Sequence, residues 1–569
     1  LTPDGVINHR HLLALLSQTI HRAKKSLLKQ FFQELKTINA IYFQFQPTFQ
    51  PLNLTLSSNE NQSVFRDEKV LSGPFDYGQF NPKTMLQIIE ELDFKNSIVI
   101  LSGPEAPLNF TTEPIYSTKF NSTKFTAEEL ELYRKIPLSP HLTAPHMNPF
   151  IPNITSVEQR VNFHPLKNDS SYHSDLNLVN IIPEHKRKQG KMFYCPDVFF
   201  KQPQIHSSFL IYIDRDRLIT PLQRLYLSIW VHLINKSVKN LVYQASLAMI
   251  NASIRDTITG FEIEANGLAP KLPLFVKSLS NEIKRTLQSC PSKSEYDLQV
   301  LSVTSELDEK IHSMLFRFAM KEIEPALIDS EHPLESSIQA LSNLSYTEYC
   351  EYHLNFYKEN YIEALVSGKI SKKEAKAMFS AVKGALQQTA LDPTRAWQRK
   401  LALPEALTLL ILRNPVQDSP NNFALSTFFA GTSVEDRAFV RIVKTYLSVD
   451  FFEELRTIQQ IGYVVFAHAT SLIGHYGVRF GIQSEDFTPE QCLVKVLEYI
   501  EKKKKELDEM SLERFKEIKD GAEIELKVPF LNLEEMHAHF LDRIQKHSFH
   551  FGSKKEVIDL IDSFEFEKF

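Results

Sequence analysis

Arg456 and Tyr463 are the residues of this sequence best placed to act together on a polarised oxygen. They sit in the run Phe451-Phe-Glu-Glu-Leu-Arg-Thr-Ile-Gln-Gln-Ile-Gly-Tyr-Val-Val. A helical pattern ends near Arg456, Gly462 marks a turn, and Tyr463 opens a strand-like stretch. A guanidinium and a phenol so spaced can converge on one carbonyl or oxyanion. The same residues also admit a structural reading, with Arg456 on the last helix carbonyls and Tyr463 a core aromatic whose hydroxyl reaches the rim.

Other chemistry finds less support. The chain has 19 histidines, yet HExxH is absent, and His332, with Glu335 three residues on, is followed by Ser336 where HxxEH needs a second histidine. His537, His539, His547 and His550 read as exposed positions. His537 and His539, two apart on a predicted helix, diverge by about 200° and cannot share an ion. No metal ligand is therefore assigned in this chain. GxSxG is absent and no cysteine carries a histidine-containing signature, so a serine or cysteine hydrolase has no local support. Cys195, Cys290, Cys350 and Cys492 are too dispersed for a CxxC metal site or a disulfide-dense scaffold. They fit a reducing compartment, or burial in any compartment.

The elements that must position Arg456 and Tyr463 lie in a chain of 569 residues, long enough for several domains. A hydrophobic content of 43% and a charged content of 23% describe a globular protein, and a net charge of −5 asks for no nucleic acid or anionic membrane. The run Lys502–Lys505, flanked by Glu501 and Glu506, reads as a solvated helix face. The longest apolar runs, such as Leu225–Ile234, are well short of the ~18 residues a spanning helix needs. Only 16 glycines occur, and neither GxxxxGK[ST] nor GxGxxG is among their patterns.

The first stretch mixes an amphipathic helix, Leu12–Leu35, with strand-like Ala40–Gln46 and Ser97–Gly103. Prolines at 137, 140, 145, 149 and 152, then a polar run and a basic run, predict a linker. Beyond it the order is β-α-β-β-α: strand Ser207–Asp214, a helix from Pro221, two adjacent strands at ASIRDTI and GFEIEANG, and helix Lys271–Leu287. The order returns with strand Asn422–Gly431, helix Ser433–Gln459, paired strands turning at Gly474, and a helix capped by Thr488. Arg-x6-Tyr occurs only in the second copy, which favours a site over scaffold.

The run ELRTIQQIGYVVFA followed by GVRFGIQSE resembles the C-terminal half of the insulinase/pitrilysin (M16) zinc metalloproteases. LTPDG at the start, FIPN near Phe150 and FKQPQ at Phe200 support the alignment in order. The resemblance implies an α+β architecture in which repeated insulinase-type domains form the C-terminal bowl of a two-half clamshell around a peptide chamber. It divides the chain into 1–145 (remainder of a second domain), 146–190 (inter-half linker), 191–401 (third domain) and 402–569 (fourth domain, ending before its last helix and strand). Arg456 and Tyr463 would orient the substrate backbone and stabilise the oxyanion, and Phe452 would line an apolar subsite. The zinc-bearing first domain has no counterpart here, so zinc is expected only in the intact enzyme. The expected partners are peptide substrates and the zinc-bearing N-terminal half, with homodimerisation left open. The other reading is a non-catalytic scaffold or partner subunit of an insulinase-like heterodimer. Family members occur in cytosol and periplasm, so the compartment stays open.

Overall fold

A computed structural model describes residues 3–25, 28–46, 51–102, 109–135, 139–140, 142, 146–162, 180–183, 190–328, 331–396, 412, 414–416, 419–549 and 551–569. The chain divides into a first unit that ends at Ile151 and a second that runs from Pro152 to Phe569.

The first unit is built mainly from helices, among them His9–Lys25, Leu28–Phe45, Pro82–Glu91 and Ala127–Lys135. The helix expected over Leu12–Leu35 falls on two described helical segments, with residues 26–27 between them outside the described residues. The strand expected over Ala40–Gln46 is instead the end of the second. Ile38, Ile41 and Phe45 recur at helical spacing, Ile41 is buried, and the rings of Tyr42 and Phe43 lie 5.3 and 5.6 Å from that of Phe75. Nor is Ser97–Gly103 a strand over its described residues, since Ile98 is 91% exposed and no neighbouring strand takes its backbone hydrogen bonds.

The stretch 146–190, expected as a linker, contains regular elements. The Asn153 side chain accepts from the Ser156 N–H and starts helix Ile154–Val161, which buries Val157 and places Arg160 on the Glu374 carboxylate. Strand β1 (Asn180–Pro183) follows. Local capping and a specific ion pair override the proline-rich, polar composition. Residues 163–179 and 184–189, with the polar run and most of the basic run, lie outside the described residues, as do the 401/402 junction and His550.

Two sheets organise the second unit. Strands β2 (Lys191–Pro196), β3 (Gln204–Ile213), β4 (Ile250–Thr257), β5 (Gly260–Leu268) and β6 (Glu359–Gly368) join β1 in the spatial order β1-β2-β6-β3-β5-β4, with Thr389–Ala390 beside β6. Strands β7 (Asn422–Gly431), β8 (Val464–Leu472) and β9 (His475–Ser484) form an antiparallel sheet in the order β7-β9-β8. The order β3-β5-β4 in one sheet matches β7-β9-β8 in the other. Each first strand leads into a long helix, α1 (Pro221–Ser246) or α3 (Val434–Phe452), and each hairpin into another, α2 (Leu272–Thr286) or α4 (Pro489–Asp508). This is the repeated β-α-β-β-α order read from the sequence. Thr220, Ser433 and Thr488 open α1, α3 and α4 through capping boxes closed by Gln223, Asp436 and Gln491. Under the first sheet Trp230 is fully buried, its ring 4.7 Å from Phe261 and 5.0 Å from Phe356.

Helix α5 (Leu533–Gln545) follows the second repeat in sequence but packs on the first sheet. Leu533, Met536, Phe540, Leu541 and Ile544 share a core with Phe193, Leu210 and Tyr361. The histidines expected to be exposed are therefore not. His537 is buried, with Nε2 3.1 Å from Ser208 Oγ and Nδ1 2.9 Å from Ser367 Oγ, while His539 and His547 are half-buried. An amphipathic helix pattern shows which face is apolar but not which sheet will cover it. Cys290 and Cys350, expected as dispersed thiols, form a disulfide across 60 residues, with Cα atoms 5.4 Å apart.

Two stability measurements follow from these contacts. Closing a 60-residue loop should contribute about 4 kcal/mol through chain entropy. Reduction, or the Cys290→Ser/Cys350→Ser variant, should lower the urea midpoint accordingly, and an unchanged midpoint would refute the bond. Burial also holds His206 down at about 4, His539 at about 3, and His537 well below its ordinary 6.5. The unfolded chain takes up these protons near pH 6.5, so their stabilisation is complete above that pH and is lost as pH falls towards 4. Glu363, pushed up to about 7 by burial, acts in the opposite sense, losing its contribution as pH rises towards 7. The histidines outnumber it, so Tm should fall between pH 6.5 and about 4.5. His206→Gln should flatten that slope by about one proton, and an identical slope would exclude His206.

Candidate functional site

The site is built where α3 runs out. Its last turns bury Phe451 and Leu455 while Phe452 stays 40% exposed. Phe451 is clamped by rings on both sides, 5.1 Å from Phe480 and 5.1 Å from Tyr499. The helix then widens into a π turn over Glu453–Ile458, with Gln459 N–H donating to the Glu454 carbonyl at 2.8 Å. The sequence pattern had continued the α-helix to Gln459. The next residues are held tightly: Gln460 takes φ +52°, Ile461 is buried, and its carbonyl accepts from the Ser484 hydroxyl at 2.6 Å. Gly462 follows because a Cβ there would run into the Gln483 carbonyl oxygen.

Tyr463 emerges from this turn one residue before β8 and is 82% exposed, so it is not a core aromatic. The Arg456 guanidinium carbon lies 4.9 Å from the Phe452 ring centroid and 4.9 Å from the Tyr463 ring centroid. The three residues singled out from the sequence thus come together, with the cation between two aromatic faces. Among the described residues no carboxylate pairs with Arg456. Stacking holds a guanidinium by its faces and leaves its in-plane N–H donors for an acceptor such as a carbonyl oxygen. Beside it, the exposed Phe452, Val449 and Ile458 offer apolar surface. Sequence reasoning placed Phe452 only as a subsite wall. Its i,i+4 spacing to Arg456 on one helix was the available signal that it also stacks on the cation.

The lysine run behind the site is not uniformly solvated as expected. Lys503 is buried, its ammonium 2.6 Å from both Asp450 and Glu506, and Lys502 reaches Glu454 at 2.8 Å. These pairs tie α4 to α3 and the π turn. A charge run on an amphipathic helix hides the one member that points inward.

Comparison with known proteins identifies the scaffold. A family model described as the middle or third domain of peptidase M16 matches residues 43–340, more than half of the 569-residue chain. The chain belongs to the peptidase M16 family. A second family model, described as the C-terminal lobe domain 4 of PqqF-like PQQ synthase, matches residues 442–541 and so includes Arg456 and Tyr463. The chain is 20% identical to an insulin-degrading enzyme of Drosophila melanogaster over 99% of its own length and 56% of that protein. It is 23% identical to the A-factor-processing enzyme of Saccharomyces cerevisiae over 99% of its length and 54% of that protein. The crystal structure of pitrilysin superposes with a TM-score of 0.74 at 18% identity, over 100% of this chain and 58% of that one, which establishes a shared fold. This M16 chain spans little more than half the length of these relatives.

Among the described residues no group of three or more His, Cys, Asp or Glu side chains is arranged to hold a metal ion. Both ring nitrogens of His537 are already engaged by serine hydroxyls. The donors among the described residues do not fit a zinc site.

The Gly462 contact is directly testable. Gly462→Ala should push the turn off Gln483, costing about 1–3 kcal/mol by overcrowding and moving Tyr463 away from Arg456. Unfolding curves check the first part and a crystal structure of the variant the second. An unshifted Tyr463 would show that the turn does not position it.

Proposed function

We propose that this chain supplies the substrate-binding and oxyanion-stabilising part of a zinc-dependent metalloendopeptidase that cleaves peptides in an enclosed chamber. The supporting observation is Arg456, a cation without a carboxylate partner among the described residues, held between Phe452 and the exposed Tyr463. The M16 membership and the likeness to an insulin-degrading enzyme support a peptide substrate. The zinc and its ligands would come from the zinc-bearing N-terminal half that the sequence resemblance implies.

In this reading Arg456 donates to a backbone carbonyl of the bound peptide and fixes its register. Phe452 packs against an apolar side chain next to the scissile bond. The Tyr463 hydroxyl donates to the scissile carbonyl oxygen as water adds to the carbon, so its contribution grows with the negative charge on that oxygen.

Mixing the chain with a separately expressed zinc-bearing N-terminal half should restore peptide cleavage that neither part shows alone. In the reconstituted enzyme Tyr463→Phe should lower kcat by about 10²–10³ with little change in KM, because only the developing oxyanion loses a donor. Arg456→Ala should worsen both parameters, since the guanidinium also holds the ground-state carbonyl. A Tyr463→Phe enzyme within about twofold of wild type would dismiss the oxyanion role. No cleavage from any combination would leave the chain a non-catalytic scaffold.

A further inference from the structure

We propose that this chain carries N-linked oligosaccharide, with Asn343 as the principal site of attachment, and that it folds in an oxidising, secretory environment. Two independent observations meet at that residue.

The first is how the cysteines are used. Cys290 and Cys350 are joined to each other, while Cys195 and Cys492 are fully buried. Structural disulfides persist where the surroundings are oxidising, as in the secretory lumen and outside the cell. An exposed free thiol would exchange with that bond or with other chains, and this chain presents none.

The second is the triplet Asn-x-Ser/Thr, the acceptor for N-linked sugar. Nine of the 27 asparagines open such a triplet, none with proline in the middle. With serine and threonine at 75 of 569 residues, composition alone gives about four. Eight of the nine asparagines are described, and seven of those are exposed.

The structure then sorts the triplets by what the amide nitrogen is doing. Asn61 Nδ2 donates to the Val70 carbonyl at 2.9 Å, and Asn235 Nδ2 donates to the Ile254 carbonyl at 2.9 Å. A sugar on either nitrogen would break that bond and press against the fold, so these two stay unmodified. Asn343 is the opposite case. It ends the short turn Leu341–Asn343, is exposed, and its side chain has no hydrogen bond among the described residues. The backbone is extended through Leu344 and Ser345. Ser345 caps helix Tyr346–Asn355, the helix that carries Cys350 into the disulfide. The triplet therefore lies open between two helices, next to the bond that reports the oxidising surroundings. Asn251 adds a second exposed position, on edge strand β4. A bulky, hydrated sugar there would shield backbone groups otherwise open to pairing with another chain.

The step is a group transfer from an oligosaccharide carried on a lipid diphosphate. Asn343 Nδ2 attacks C1 of the first sugar, and the N–C1 bond forms as the C1–O bond breaks. The electron pair leaves with the lipid diphosphate, and one amide proton passes to a base of the transferase.

The test uses the full protein purified from the cells that make it, digested with peptide N-glycosidase in heavy-oxygen water. That enzyme converts each glycosylated asparagine to a heavy-oxygen-labelled aspartate, which peptide mass spectrometry locates. The label should appear at Asn343 and be missing from Asn61 and Asn235. Expressed in the same cells, Asn343→Gln should lose the mass of one oligosaccharide on a denaturing gel. Ser345→Thr, which keeps both the cap and the triplet, should lose none. Label at Asn343 upholds the proposal. An unlabelled Asn343, or unchanged mobility of the Asn343→Gln chain, would overturn it whatever the other triplets carry.

Discussion

Burial of Phe451, Leu455 and Ile461 is the constraint on which the geometry of the site depends. Each belongs to the core of the second sheet, so the chain between them has little freedom. Four and six residues apart and all facing inward, they do not suit a single uninterrupted α-helix followed by a free loop. A π turn and a residue in the left-handed region absorb the mismatch. The residues left outside, Phe452, Arg456 and Tyr463, are carried to one surface by their buried neighbours. The stacking then holds a long, rotamer-rich side chain at modest entropic cost.

The two repeats put the same framework to different uses. In the first, the stretch that corresponds to Arg456 and Tyr463 lacks the pair, and its sheet is broadened by β6 and β2 and covered by α5. Polar residues sit under that cover: Ser208 and Ser367 are satisfied by His537, and Tyr212 donates to Glu363 at 3.2 Å. These buried hydrogen bonds specify one seating of α5, since any other leaves donors and acceptors unpaired. The second sheet carries the exposed site.

What was legible in the sequence was chiefly local. Strand β7, the hairpin β8–β9 and the capped helices α1, α3 and α4 could be read because periodicity and caps act within a few residues. Arg456 and Tyr463 could be read as a pair because a helix end and a strand start are signalled by Gly462 between them. Three kinds of feature were not legible. Ala40–Gln46 has strand-forming residues, but the spacing of Ile38, Ile41 and Phe45 decided for helix. The Cys290–Cys350 pairing depends on elements brought together across 60 residues. The burial of His537 and Lys503 depends on which surface their helices meet, and an amphipathic pattern is silent on that.

The seating of α5 on the first sheet also sets a clock. Ser208 and His537 touch across 329 residues of sequence. At ~5–20 residues per second a ribosome takes roughly 15–65 s to bridge that distance. Early in that interval the emerging chain presents Phe193 and Leu210 uncovered, and from the synthesis of β6 onward Tyr361, serine hydroxyls and a carboxyl meant for burial join them. The nascent chain therefore offers a long-lived sticky face to chaperones, and a ribosome stalled anywhere in the second repeat would release a product unable to hide it.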